Sequence, residues 1–379
     1  MQPLHVQHLV IGGGLLGLVT ADHLLRRGAA GVVVMESLGA PAALRSGAPG
    51  LVLSTGRIND ESLERRAFLL LEEWRHYIEI DPRYQRSGSF LHPAHGYFDI
   101  ANASRGDEFA TGWVPARPTE EAPGVTYDWD GVVDATLLAS TLHWQIRKRG
   151  GRVVCNSPIE EIARGATGVE FRAGPRQGRA ERVYLASGLE NARLARGLGI
   201  ALGQRRVSWQ RFHGAPRLGD VQLYRLASGP PARASETESA AAAALEYEGE
   251  SSPSPGSPTL QPRDRVVLLC GGGQDTVLSI FSPADLRTQD AQVDWDEFGR
   301  IRTEINTLIP SFGEFQVRHA AAEFVPALAT SSSSARVECD GQVLIGGEFG
   351  IHGISLALAV GEQMAELGLA ANPTVPIAP

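Results

Sequence analysis

Val10-Ile11-Gly12-Gly13-Gly14-Leu15-Leu16-Gly17-Leu18, with Glu36 further along, is the stretch that decides the fold. Its glycines at 12, 14 and 17 fit the pattern GxGxxG, which carries weight only in the right surroundings. Residues 4–11 end in aliphatic and β-branched side chains and run straight into the glycines, which predicts a strand. Leu15 to Arg27 predicts a helix closed by Gly28, since a glycine just past a helix end takes the left-handed conformation without strain. Gly31-Val32-Val33-Val34-Met35 is apolar on both faces, as an interior parallel strand should be. Strand, glycine turn, helix and second strand are complete within about 36 residues, the size of a β-α-β unit. Glu36 stands at the end of the second strand.

Each residue in such a unit has a physical role. Gly12 permits the tight turn, Gly14 lets a pyrophosphate approach the backbone, and Gly17 lets the helix pack close to the strand. Leu15 and Leu16 open the helix, whose free N–H groups and positive dipole end face the phosphates. Glu36, with Ser37 beside it, accepts hydrogen bonds from ribose hydroxyls. The motif predicts a bound adenine dinucleotide and does not choose between nicotinamide and flavin.

Composition narrows the classes of function. The 379 residues suggest two domains, at roughly 100–200 residues each. A hydrophobic fraction of 43% is enough for a buried core, and no apolar run reaches the roughly eighteen residues of a membrane span. Net charge is -8, which argues against a nucleic-acid partner, because phosphate binding needs clustered cations. Lys148 is the only lysine and falls in a helical stretch ending at Gly150-Gly151, so Schiff-base chemistry is not expected. Cys155, Cys270 and Cys339 form no CxxC pair and make no disulfide framework, which fits a reducing compartment. Met1 to Leu9 lacks the basic and apolar regions of a secretory signal, so a cytoplasmic protein is expected.

Further along, Asp60 to Ile80 predicts a helix with Leu63, Ala67, Leu70, Leu71 and Trp74 on one face. Asp134 caps a predicted helix over Ala135 to Arg149, and Arg152 to Cys155 reads as a strand. Val169–Arg172 and Arg182–Leu185 alternate like strands of a hairpin-rich region. Residues 228–263 are rich in Ala, Ser, Pro and Glu, and read as a disordered insertion that cannot repay its ordering entropy by burial. Val266–Leu269 and Val343–Ile345 read as strands, Val293–Leu308 and Ile354–Leu369 as helices. His92 and His95 have no third ligand in reach of the pattern, so no metal site is expected. Arg205, Arg206 and Arg211 read as solvated charges before they read as an anion site; Trp209, Phe212 and Tyr224 read as core before they read as a pocket.

Two more segments choose the cofactor. Leu185-Ala186-Ser187-Gly188-Leu189-Glu190-Asn191 follows a strand, and Gly346-Gly347-Glu348-Phe349-Gly350-Ile351-His352-Gly353 opens the last helix. With Arg45-Ser46-Gly47-Ala48-Pro49-Gly50, they resemble the D-amino-acid oxidase-like superfamily of FAD oxidoreductases, which includes glycine oxidase and monomeric sarcosine oxidase. The resemblance covers nearly the whole chain and is most specific at its two ends. It implies a mixed α/β (α+β) protein: a Rossmann-like FAD-binding domain and a second, substrate domain on an antiparallel sheet. The FAD domain would take residues 1–80, 130–200 and 335–379, and the substrate domain 81–129 and 201–334.

The resemblance implies noncovalent FAD, held by Gly12, Gly14, Leu15, Leu16, Gly17, Glu36 and Ser37, by Arg45, Ser46 and Gly47, by Ser187 and Gly188, and by Gly350, Ile351, His352, Gly353 and Ile354. It puts Arg45 and His352 nearest the reaction. The implied reaction moves a hydride from a carbon bearing nitrogen, in a small amine or amino acid derivative, onto flavin N5, with oxygen or an electron carrier as the final acceptor. A hydroxy acid or alcohol dehydrogenase, and a flavin-binding module without catalysis, are the alternatives. The chain departs from the family in three ways: it has no lysine to match the one that sarcosine-oxidase-like members use for oxygen activation, Cys339 does not match the cysteine of covalent-flavin members, and the third bears on the substrate. Amino-acid-oxidising relatives present an arginine before a proline to the substrate carboxylate, whereas Ala322-Glu323-Phe324-Val325-Pro326 has none. Arg57, Arg225 or Arg318 would replace it, or the substrate lacks a simple α-carboxylate.

Overall fold

Strand β1 (Leu4–Ile11) is the axis of the first sheet. A computed structural model describes residues 4–40, 50–52, 61–77, 85–86, 89–92, 117–118, 125–127, 130–215, 223–228, 265–272, 275–283, 290–308, 310–328, 336–347, 349 and 353–370. The strands in chain order are β1, β2 (Val32–Met35), β3 (Gly50–Val52), β4 (Gln85–Arg86), β5 (Ser89–His92), β6 (Arg117–Pro118), β7 (Val125–Tyr127), β8 (Gly131–Val133), β9 (Arg152–Val154), β10 (Glu161–Gly165), β11 (Gly168–Ala173), β12 (Arg176–Leu185), β13 (Gln204–Ala215), β14 (Leu223–Ser228), β15 (Arg265–Gly272), β16 (Asp275–Pro283), β17 (Gln316–Leu328), β18 (Arg336–Asp340) and β19 (Val343–Gly347). The helices are α1 (Leu15–Arg26), α2 (Glu61–Tyr77), α3 (Ala135–Lys148), α4 (Asn191–Gly197), α5 (Trp295–Leu308) and α6 (Gly353–Leu369).

Five strands run parallel in the order β9-β2-β1-β12-β19. Their alternation sorts the core into two layers. Val10, Val34, Tyr184 and Leu344 point to one face and pack under α1, α2, α3 and α6. Leu9, Ile11, Val33, Met35, Val183, Leu185 and Ile345 point to the other, against β10, β11 and α4. β12 is shared: its first half pairs antiparallel with β11, its last residues parallel with β19. The hairpin-rich reading holds for β10, β11 and the first half of β12, where Ala173 stands opposite Arg176, while Arg182–Leu185 ends the same ten-residue strand in parallel pairing with β1 and β19. Local alternation cannot distinguish the two, because the pairing partner lies about 160 residues away (Leu185 to Ile345).

The second sheet has the order β17-β13-β16-β15-β14-β5-β7-β6, antiparallel except where β14 meets β5. Helix α5 covers one face, with Phe298, Ile301 and Ile305 against Phe212, Leu278 and Ile280. A small sheet, β3-β8-β4, completes the set. The expected mixed α/β organisation, a Rossmann-like sheet with a separate antiparallel sheet, is thus present. The region read as an insertion, 228–263, lies outside the described residues except Ser228. Among the described residues no helix is long and apolar enough to cross a membrane.

The local expectations hold at helix ends where a side chain or glycine makes the boundary. Asp134 Oδ1 accepts the Leu137 N–H at 2.8 Å and starts α3. Gly28 has φ +84° just beyond α1. Asp294 Oδ1 accepts the Glu297 N–H at 2.8 Å and starts α5 two residues after the expected Val293.

Candidate functional site

The predicted segments lie far apart in sequence, and the parallel sheet brings them to one edge. β1, β2, β12 and β19 all point the same way, so Gly12, Glu36, Ser187 and Gly347 leave the sheet at its carboxyl end. β1 lies between β2 and β12, so the chain reverses its direction of travel across the sheet there, where open α/β sheets bind ligands. Helices α1 and α6 follow β1 and β19, pack side by side, and begin at this same edge.

The glycine turn is shaped by close backbone approach. Gly12 has φ +109°, and a Cβ on it would stand 2.4 Å from the Ala186 carbonyl oxygen. A Cβ on Gly17 would stand 2.0 Å from the Gly12 carbonyl oxygen, so only glycine lets α1 start this close to β1. Gly14 differs: among the described residues nothing lies within 4 Å of where its Cβ would be. Leu18 is the first residue of the helix to bond back, to Gly14 O at 3.0 Å, which leaves the N–H groups of Leu15, Leu16 and Gly17 without an intrahelical partner. No acidic residue neutralises the first turn. Open space, free amides and an uncompensated dipole end fit a pyrophosphate.

Glu36 is 3% exposed and held from three sides. The Gly13 N–H donates to Oε2 at 2.7 Å; the Ser37 hydroxyl and the Leu38 N–H donate to Oε1 at 3.0 and 2.9 Å. Oε1 accepts two of these donors and Oε2 one, which leaves Oε2 a lone pair for a further donor. The fixed acceptor beside the open Gly14 turn fits the ribose of an adenine dinucleotide. Burial, and next the Glu36 charge, push the nearby Cys155 thiol up, which keeps it protonated and unreactive.

Asn191 was not singled out in the sequence and is the residue that joins two of the segments. Its Oδ1 accepts the Ser187 N–H at 2.9 Å and the Ser187 hydroxyl at 2.7 Å; its Nδ2 donates to Gly346 O at 2.9 Å. It is fully buried. The signal was the asparagine opening the short helix α4 just after Ser187-Gly188, a position where such side chains bond back to the chain. Gly346 matters for packing, since a Cβ there would meet Met364 Sδ at 2.3 Å, and its absence lets α6 lie against β19. At the start of α6 no described residue lies within 4 Å of a Cβ on Gly353, as at Gly14, and Ile354 is half-buried against the core.

Arg45, Ser46, Gly47, Arg57, Gly350, Ile351 and His352 lie outside the described residues. β3, which follows the Arg45 passage, packs against α6. Arg225 is in β14, in the middle of the second sheet, and Arg318 is exposed on β17. β17 is also where the second sheet approaches the dinucleotide edge: Pro326 Cγ lies 3.9 Å from the Cβ position of Gly188. Arg211 departs from its reading as a solvated charge. It is buried in β13, with Nη1 3.2 Å from Glu323 Oε1 of β17.

No curated protein matches the sequence. Among solved structures the chain is similar to L-proline dehydrogenase from P. horikoshii, at 14% identity and a TM-score of 0.72 over 99% of this chain and 96% of that one. It is similar to glycine oxidase from Geobacillus kaustophilus, at 16% identity and 0.70 over 96% and 94%. A third is iminodiacetate oxidase from Chelativorans sp. BNC1, at 16% identity and 0.70 over 98% and 97%. At these identities the likeness is one of fold. A family model described as FAD dependent oxidoreductase matches residues 7–367, almost the whole chain. With the dinucleotide turn, the buried Glu36 and the second sheet at its edge, this makes the chain a member of the FAD dependent oxidoreductase family, an enzyme whose cofactor is FAD.

Proposed function

We propose that this enzyme oxidises a carbon bearing nitrogen in a small amine or amino acid derivative. The observation that carries this reading is the meeting, at one sheet edge, of two open helix starts, Gly14 of α1 and Gly353 of α6, with the end of an antiparallel sheet at Pro326. Bound FAD supplies the hydride acceptor, and the donor leaves as an imine or, after hydrolysis, a carbonyl. The chain's own part is to hold and orient. Gly12, Gly14, Leu15, Leu16 and Gly17 take the pyrophosphate, Glu36 and Ser37 the ribose, and Ser187 and Gly188 the edge of the cofactor. With FAD bound, the start of α6 would offer a positive dipole end to negative charge on the reduced flavin. Arg45 and His352 act nearest the donor.

The nitrogen-bearing donor is supported by the proteins whose fold is shared. They are named for proline, glycine and iminodiacetate, each with a nitrogen beside a C–H. FAD is noncovalent in this reading, residues 1–80, 130–200 and 335–379 hold it, and 81–129 with 201–334 hold the donor. Oxygen or an electron carrier takes the electrons away, in a reducing compartment such as the cytoplasm.

Anaerobic titration of the FAD-loaded protein with amines, amino acids and hydroxy acids tests this. Bleaching of the flavin band by a nitrogen-bearing donor is the expected result. Bleaching by a hydroxy acid alone, or by no donor, would overturn it.

A further inference from the structure

The amino end of the first sheet, opposite the dinucleotide edge, gathers cations. α1 ends there before β2, and α3 before β9, because both strands run parallel to β1. Residues 15–31 and 135–155 span these two helices, the turns after them and β9. They contain six arginine and lysine side chains, Arg26, Arg27, Arg147, Lys148, Arg149 and Arg152, and one acid, Asp22, in a chain of net charge -8. Asp22 is buried between the helix ends: Arg26 Nε–H donates to Oδ2 at 2.5 Å and Arg149 Nη1–H to Oδ1 at 2.8 Å. These two bonds hold the ends of α1 and α3 side by side, so their cations share one surface. Arg27 turns to Glu362 and Glu366 of α6 and lies outside it. Arg147, Lys148, Arg149 and Arg152 are exposed.

An exposed tryptophan stands among them. α3 meets water at Thr136, Ser140, Trp144, Arg147 and Lys148, one face at helical spacing, and Trp144 is the large apolar side chain on it, 44% exposed. Lys148 Nζ lies 4.5 Å from its ring centroid. A helix end favours cations in its last turn, which accounts for Arg147 and Lys148 by themselves. It accounts neither for an indole left in water nor for Arg152, which opens the edge strand β9. Both fit the headgroup layer of a bilayer, where tryptophan rings settle at the polar boundary and arginine and lysine meet anionic lipid. A polybasic patch and an apolar anchor act together there, each too weak alone.

We propose that Trp144, with Arg26, Arg147, Lys148, Arg149 and Arg152, docks this enzyme on a bilayer surface that carries anionic headgroups. The contact is peripheral, since among the described residues no helix is long and apolar enough to cross a membrane. Strand β1 separates the patch from Gly12 by eight residues, about 26 Å, so the cofactor edge points away from the lipid and stays open to the donor. Docking is therefore independent of which donor the enzyme oxidises. Each cation near the surface strengthens binding about five-fold.

The test is sedimentation of the full FAD-loaded chain with vesicles of phosphatidylcholine, alone or with about one-third phosphatidylglycerol. The protein binds the anionic vesicles at about 0.05 M salt, leaves them at about 0.5 M, and does not bind the neutral ones. Arg147→Glu with Lys148→Glu lowers the partition coefficient at least about 25-fold. Trp144→Ala lowers it at every salt concentration without changing the salt dependence, a loss that charge alone does not give. Arg196→Glu with Arg300→Glu, an equal change of net charge at exposed positions of α4 and α5, binds as the wild type does. FAD content and melting are read on each variant, and Arg147→Gln with Lys148→Gln stands in if the acidic pair does not fold. No binding to anionic vesicles, equal binding to neutral ones, or the same loss in both double variants would overturn the proposal. So would self-association through the patch in place of vesicle binding, which would make a second copy of this acidic chain its occupant.

Discussion

Lowering the pH from about 7 to about 5 should cost the dinucleotide half of this fold about 2 kcal/mol through one residue, His23. His23 is in α1, 4% exposed, with its ring 6.3 Å from that of Trp74 in α2. Burial, the largest cause, holds its pKa down at about 4; Arg27, Arg26 and Arg66 push the same way, and Glu362 of α6 opposes them. The Arg27 Nη1–H donates to Nδ1 at 2.9 Å, and that role needs an unprotonated nitrogen. The 3.8 Å approach of Glu362 Oε1 to Nδ1 would be an ion pair only with a charged ring, and the two arginines on Glu362 leave the ring neutral. The sign follows from the lowered value. Between the ordinary pKa and about 4 the unfolded chain binds the proton and the folded one does not, so stability falls as pH falls through that window. At about pH 5 the gap below the ordinary value is about 1.5 units, at about 1.4 kcal/mol each. Glu362, held down by its arginines, loses its contribution only at lower pH, and Asp22, pushed up by burial, works in the opposite sense. Comparison with His23→Gln, which keeps an acceptor for Arg27, isolates the histidine. Urea unfolding followed by tryptophan fluorescence at both pH values, at constant FAD, is the assay. A wild type as stable at about pH 5 as at about pH 7, or a variant with the same loss, would refute the reasoning.

Other outcomes follow from single contacts. Gly14→Ala, where a Cβ meets no described residue, should fold normally yet bind FAD at least about ten-fold more weakly, because the methyl group enters the phosphate space; an unchanged FAD affinity would count against that placement. Gly17→Ala, where the Cβ would overlap Gly12 O, should lose FAD and thermal stability together, seen in the flavin-to-protein absorbance ratio and the melting curve. Asp134→Ala should cost about 1 kcal/mol in urea unfolding by removing the α3 cap, with FAD content unchanged. Asn191→Ala leaves Ser187 and Gly346 O without their buried partner and should cost about 2 kcal/mol, with a higher FAD dissociation constant; a change in neither would show that the clamp is dispensable.

Reading the chain alone was enough where the cause is local. The glycine turn, the helix behind it, the acidic residue at the end of β2 and the Asp134 cap each depend on residues within a few positions, so their pattern states their conformation. The same holds for the two-face burial of β2, visible as four apolar residues in a row. Pairing is another matter. That β12 belongs half to a meander and half to the parallel sheet depends on β19, and no local pattern carries that information. Asn191 looks like a turn residue until Gly346 is brought to it. Arg211 looks like a surface charge because β13 mixes charged, polar and aromatic residues. Its burial follows only once β16 and β17 bring Ser279, Ala321 and Glu323 beside it. Sequence determined the glycine turn, since the backbone at Gly12 and Gly17 approaches its neighbours too closely for a side chain. The tertiary structure alone decided which strands stand beside that turn, because neighbours in a sheet are chosen by the whole chain.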